Sequence, residues 1–186
     1  MQQKKILALC GSTKKNSTNE QLLTYIAHHF QEELDLSFFT ELDQLPHFNP
    51  DVDQDNPPQL VLQLRQQISD ADGVLICTPE YVFSLPGVLK NAIEWCVSTT
   101  VFSNKPVAFI VASASGEKAF ESLDLILRTI EARINLEASL LIRGAKGKML
   151  ANDLPNPETQ AELNKLTAAF IACINEENAV PTKYKS

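Results

Sequence analysis

Two short stretches of this chain collect groups that could act on one ligand. The first, Gly11 to Asn19, reads GSTKKNSTN and brings hydroxyls, backbone N–H groups and two lysines to the start of a helical apolar pattern. Ser17, Thr18 and Asn19 are helix-capping residue types. A helix N-terminus presents outward N–H groups and the positive end of the peptide dipole, so this stretch suits a phosphate, with Lys14 or Lys15 adding charge. A capped helix behind a solvated turn would use the same residues. The second stretch, Pro79 to Pro86, sets Tyr81 and Phe83 beside Glu80 and Ser84 in a segment that must lie near the surface. Rings next to polar groups suit a planar polar ligand, and they equally suit packing on a sheet edge or at a subunit contact.

The chain's other features exclude several chemistries. Neither GxGxxG nor GxxxxGK[ST] occurs in the first loop, so a phosphate monoester fits it better than a dinucleotide or a nucleoside triphosphate. Cys10, Cys77, Cys96 and Cys173 are widely spaced, with no CxxC pair. His28 and His29 are adjacent and diverge on a helix, and His47 stands alone, so no metal site is expected. The formal net charge is −7 with no block of Lys or Arg, which argues against a nucleic-acid partner. At the amino terminus, MQQKKILALCGS passes from a short apolar run straight into a polar loop. That pattern is a first strand rather than a leader or a spanning segment, so we expect a cytoplasmic protein with reduced, buried thiols and no membrane insertion.

The elements that must position the two stretches alternate along the chain. Lys5 to Cys10, Gly73 to Cys77 and Pro106 to Ala112 are unbroken apolar runs, as expected of strands covered on both faces. Leu34 to Phe39 and Leu136 to Ile142 complete a set of five strands. Helical spacing follows the first loop, then recurs over Leu60 to Ser69, from Gly87 through Cys96, over Glu121 to Ile134 and over Glu158 to Asn175. Thr40 to Gln59, with Pro46, Pro50, Pro57 and Pro58, reads as a long connection, placed over a site edge, over another subunit or as a plain surface excursion. Gly144, Gly147, Asn152, Pro155 and Pro157 mark a further loop.

Five strands alternating with five helices give an α/β fold around a parallel sheet, with an expected strand order of 2-1-3-4-5 and one domain over residues 1–186. A chain of this length can bury roughly 70% of its unfolded surface and needs no disulfide or metal to fold. In that order strands one and three are neighbours, so Gly11 to Asn19 and Pro79 to Pro86 flank the switch point where open α/β sheets bind ligands. Ser113-Ala114-Ser115-Gly116, at the end of the fourth strand, lies close by. Such small residues let backbone approach a ligand and also make an ordinary turn.

These residues resemble the NAD(P)H-dependent FMN reductases of flavodoxin-like fold, a family that includes quinone, azo-dye and chromate reductases. The pattern GSxRxxSxN is met by Gly11, Ser12, Ser17 and Asn19, with Lys14 where the family usually has Arg. Lys keeps the charge and loses the planar fork. PEYNxSxPGxLKNAIDW is met by Pro79, Glu80, Tyr81, Ser84, Pro86, Gly87, Leu89, Lys90, Asn91, Ala92, Ile93 and Trp95. The departures are Val82 for Asn, Phe83 for a small residue, and a less glycine-rich turn at Ser113 to Gly116.

The resemblance implies a three-layer flavodoxin-like sandwich holding non-covalent FMN, reduced by NADPH or NADH and reoxidised by a small acceptor such as free flavin, a quinone or an azo compound. It implies that Ser12, Lys14, Ser17, Thr18 and Asn19 bind the phosphate. Pro79, Glu80, Tyr81, Val82, Ser113, Ser115 and Gly116 would contact the ribityl chain and ring. No catalytic acid or base is expected. Glu80 is the one carboxylate in the ring-side motif, and it reads as fixing the loop or a subunit contact rather than as a proton-transfer group. The resemblance further implies a homodimer or homotetramer, with the helix from Gly87 and the Thr40–Gln59 segment as candidate contacts. An electron carrier without direct NAD(P)H oxidation, and a scaffold that has lost the cofactor, are alternatives that the same fold would serve.

Overall fold

Strands β1 (Lys4–Cys10), β2 (Leu34–Phe38), β3 (Gly73–Thr78), β4 (Val107–Ser113) and β5 (Ser139–Arg143) form one parallel sheet in a computed structural model that describes residues 3–151 and 153–176. Their order is β2-β1-β3-β4-β5, as the sequence leads one to expect of a flavodoxin-like fold. Helices α1 (Thr18–His29), α2 (Pro50–Asp55), α3 (Gln59–Asp70), α4 (Gly87–Glu94), α5 (Glu117–Thr129) and α6 (Pro157–Asn175) link and cover the strands. Alternate strand residues point to opposite faces, and this sorts the core into two layers. Ile6 and Ala8 meet Leu22, Leu23 and Ile26 of α1 and Leu163 and Phe170 of α6. Leu7 and Leu9 meet Val61 and Leu64 of α3, Leu89 and Ile93 of α4, and Leu123 and Leu127 of α5. Every residue of β3 is buried, which accounts for its unbroken apolar run. Three of the four thiols are buried; Cys10, at the end of β1, is half-buried.

Three boundaries differ from the sequence reading. The α5 helix begins a turn earlier than Glu121, because Gly116 at φ 99° turns the chain into it, and it stops before Ile130, because Glu131 at φ 60° reverses the chain. Leu136 to Ala138 is a 3-10 turn rather than strand, started by the Asn135 side chain accepting from Glu137 N–H at 2.9 Å. The Thr40–Gln59 connection holds a 3-10 turn, Leu42–Gln44, and the α2 helix. Pro50 opens that helix at a position where no N–H is needed, and Asn49 caps it through Asp51 N–H at 3.0 Å. Asn152, expected in a loop, lies outside the described residues.

The same connection is fastened to its own chain. Pro46 O accepts from Asn91 Nδ2 at 2.9 Å and Trp95 Nε1 at 2.7 Å, and Phe48 N–H donates to Asn91 Oδ1 at 2.8 Å. Asp53 forms a buried ion pair with Arg65, whose Nε also donates to Trp95 O at 2.8 Å. Burial alone would raise the Asp53 pKa, but hydrogen bonds from Ser98 and Arg65 and the guanidinium charge together hold it below the ordinary carboxylate value. Asp53→Asn leaves a buried guanidinium without its counter-charge, so urea unfolding at neutral pH should show a loss of about 3 kcal/mol. The wild-type contribution is complete above the unfolded carboxyl pKa of about 4 and is lost as pH falls through the lower folded value. The gap between the two proteins should therefore narrow in acid.

Candidate functional site

A cleft of about 460 Å³ opens at the carboxyl ends of β1, β3, β4 and β5, within the size range of small-molecule sites. Ser12, Lys14, Ser17, Thr18 and Asn19 line it from the β1 loop and the start of α1. Pro79 and Tyr81 come from the β3 loop, and Ala112, Ser113 and Ala114 from the end of β4. The far wall, Gly144 to Gly147 after β5, includes Lys146. Among the described residues two lysines and no carboxylate line this cleft, in a chain of net charge −7. A larger cleft of about 680 Å³ beside α1 is lined by Glu20 and Asp153, which would repel an anion.

The phosphate-side geometry follows from how α1 starts. Ser17 is extended, at φ −68° and ψ 154°, and its Oγ accepts from Glu20 N–H at 3.2 Å. The N–H groups of Thr18 and Asn19, at the first two helical positions, have no intrahelical acceptor. They sit at the positive end of the helix dipole with the Thr18 hydroxyl alongside. Ser12 Oγ accepts from Lys14 N–H at 3.4 Å, which folds the loop back on itself. This donor set fits a phosphate monoester. The small residues Ala112, Ala114, Gly144 and Gly147 leave room beside Tyr81 for a flat ring.

The Asn19 side chain turns inward, while its N–H stays at the open end of α1. Its side chain is buried, with Nδ2 donating to Ala112 O at 3.3 Å and Oδ1 accepting from Cys77 Sγ at 3.3 Å. The carboxamide thus brackets α1 to β3 and β4 instead of reaching outward. Burial, with the nearby Cys10 thiol adding to it, pushes the Cys77 pKa well up, which keeps that thiol protonated as a donor.

Glu80, Val82, Ser115 and Gly116 do not line the cleft. The Glu80 carboxylate turns to the amino end of α5, where Ser115 and Gly116 bond to it. Accepted hydrogen bonds, that of Ala119 N–H foremost, outweigh desolvation and hold its pKa below the ordinary value. Val82 is 95% exposed and Phe83 77% exposed, at the tip of a turn closed by Tyr81 N–H to Ser84 O and Ser84 N–H to Tyr81 O, both at 3.0 Å. Both tip residues have positive φ, 52° and 55°, as a type I′ turn requires and as a β-branched side chain resists. The sequence marks Gly144 and Gly147 only as part of a loop and does not foresee this wall of the cleft. The cue was their place directly after a strand's carboxyl end, beside Lys146.

The sequence matches the family described as NADPH-dependent FMN reductase over residues 4–146. It is 34% identical over 172 residues to the NADH:(hydroxy)cinnamate reductase subunit CrdA of Vibrio ruber, covering 89% of this chain and 84% of that one. It is 42% identical over 113 residues to 2-hydroxy-1,4-benzoquinone reductase of a Burkholderia species, covering 59% of this chain and 60% of the relative. Among solved structures, FerB, a flavoenzyme NAD(P)H:(acceptor) oxidoreductase from Paracoccus denitrificans, superposes with a TM-score of 0.82 at 27% identity, covering 95% of this chain and all of that one. With the fold, the anion-ready cleft and these matches in agreement, the chain belongs to the family of NADPH-dependent FMN reductases, flavoenzymes that use FMN with NAD(P)H as electron donor.

Proposed function

We propose that this protein binds FMN in the cleft at the β1/β3 switch point and uses NADPH or NADH to reduce a small acceptor such as a free flavin, a quinone or an azo compound. The observation that carries this reading is the lysine-lined cleft at the amino end of α1, which no carboxylate among the described residues lines. Bound FMN supplies the hydride-accepting and electron-donating chemistry. In this reading Ser12, Ser17, Thr18 and the N–H groups of Thr18 and Asn19 hold the phosphate. Lys14 offsets its charge, with Lys146 facing it across the cleft. Pro79, Tyr81 and Ser113 flank the ribityl chain and ring, and Glu80, Val82, Ser115 and Gly116 support them from behind or at the rim. Among the described residues the lining contains no carboxylate, imidazole or thiol, so in this reading the protein's share of catalysis is placement rather than acid–base work.

The family match gives this reading precedence over an electron carrier or a scaffold. The benzoquinone reductase among the relatives supports a quinone as acceptor. The Vibrio ruber relative is described as a reductase subunit, which favours one second reading, in which a partner protein takes the electrons instead. We further propose a cytoplasmic homodimer or homotetramer. The exposed apolar side chains of Tyr81, Val82 and Phe83 at the cleft rim and of Val97 after α4 support assembly. Among the described residues no helix is long and apolar enough to cross a membrane.

Two measurements test these proposals. Titrating FMN into cofactor-free protein should raise its melting temperature by mass action, and the Ser12→Ala, Lys14→Ala double variant should bind FMN at least about tenfold more weakly. Unchanged affinity would remove the phosphate assignment. Size-exclusion chromatography with light scattering should return twice or four times the chain mass of 20.6 kDa, and a monomer mass would contradict the proposed assembly.

A further inference from the structure

We propose that Glu80 is a positioning residue whose carboxylate latches the loop after β3 onto the amino end of α5, so that the two loops flanking the ring side of the cleft move as one body. The inference rests on the FMN reading of the cleft for its functional consequence, but the latch itself stands on four hydrogen bonds. Oε1 accepts from Ser115 Oγ at 3.0 Å and Gly116 N–H at 3.2 Å. Oε2 accepts from Lys118 N–H at 2.9 Å and Ala119 N–H at 3.0 Å.

These bonds repair a defect that α5 has by itself. Gly116 is its N-cap residue, at φ 99° and with no side chain to cap the first turn, so the opening N–H groups need an acceptor from elsewhere. Glu80 brings one from 36 to 39 positions earlier in the chain, with a negative charge at the positive end of the helix dipole. A side chain at position 116 could not do the same. A Cβ there would lie 2.8 Å from Leu141 Cδ1, and the φ itself disfavours one.

The other end of the latch holds a strained element. Tyr81 follows Glu80 directly and opens the turn whose tip residues, Val82 and Phe83, both sit in the left-handed region. Such a conformation persists only where its surroundings over-determine it, and within one subunit the two exposed tip side chains provide little packing for that, so only the proposed subunit contact could add to it. The turn is therefore held at its two feet, by the Glu80 carboxylate on one side and the buried Leu85 on the other. On the α5 side the grip extends to the third wall of the cleft. Gly144 N–H donates to Ala114 O at 3.1 Å, and Glu117 pairs with Arg143 at 2.5 Å. With its oxygens bonded to Ser115, the Gly116 cap and the first turn of α5, Glu80 sets where Tyr81 and Ser113 stand without itself touching a ligand.

Glu80→Gln and Glu80→Asp test this. The amide keeps one acceptor and turns its NH2 towards N–H donors, while the aspartate is a methylene short. In Glu80→Gln, hydrogen exchange at the Tyr81, Ser84, Lys118 and Ala119 amides should quicken about tenfold relative to the β3 and β4 core. FMN affinity should fall about tenfold and the visible spectrum of the bound flavin should shift, with Glu80→Asp intermediate on each readout. If Glu80→Gln does not fold, Glu80→Asp carries the same comparison. A lower melting temperature with wild-type exchange at Tyr81 and Ser84 and wild-type FMN affinity would reduce Glu80 to a plain helix cap and overturn the proposal. Lost turnover with affinity and exchange intact would make it a proton-transfer group instead, and would also overturn it. Wild-type protein that does not bind FMN would sink the functional reading, while the exchange comparison would still decide the latch.

Discussion

Strands β1 and β3 pair in register, with Cys10 opposite Cys77, so the loops that leave them depart at the same height and side by side. The two loops come very close. Gly11 N–H donates to Cys77 O at 2.9 Å, and a Cβ on Gly11 would fall 2.1 Å from Thr78 Oγ1. Any other residue at this point would push the first loop off the end of β3. Glycine here does not relieve backbone strain; it permits a contact that a larger residue would block. Asn19 then fixes the start of α1 over this junction by bonding to β3 and β4 at once. The anion-ready helix end, the cleft and its position at the switch point depend on that junction.

Around the junction the cleft divides its work. On the β1 side the chain supplies charge and N–H groups through Lys14 and the first turn of α1. On the β3, β4 and β5 side it supplies small residues and one ring, with Lys146 as the single charge among the described residues. Among the described residues no carboxylate lines the cleft itself, although Glu20 and Asp43 line the adjoining cavity that shares Ser12 and Lys14 with it. Glu20 and Asp153 face a neighbouring cleft, and Glu80 is turned into the amino end of α5. The mechanism needs little more from the side chains than this arrangement, since the redox chemistry belongs to the cofactor.

Much of this was legible in the sequence because it is locally encoded. The apolar runs of β1, β3 and β4 reflect burial on both faces, and the capping residues before α1 are adjacent to the helix they start. What escaped was non-local. The first turn of α5 has its cap in another loop, so nothing next to Gly116 announces the helix. Prolines made residues 40–59 read as loop, although Pro50 in fact begins α2, whose Asp53 finds its partner in Arg65 on the next helix. Asn19 read as a phosphate ligand from its place in the loop, and only the packed structure shows its side chain bonded inward. Lys146 lines the cleft because its loop follows β5, next to β4; the expected strand order implied that place, but the local pattern of the loop marks no ligand-facing lysine.

The central claim is that this cleft holds an FMN that a nicotinamide can reach. An anaerobic titration of the FMN-loaded protein with NADPH, and separately with NADH, tests it most directly through the yellow absorption band of the flavin. Bleaching straight to the two-electron reduced form by at least one donor is the expected result, and the faster donor is the preferred one. A protein that binds FMN but is bleached by neither donor would contradict the claim and put the electron-carrier reading ahead of it.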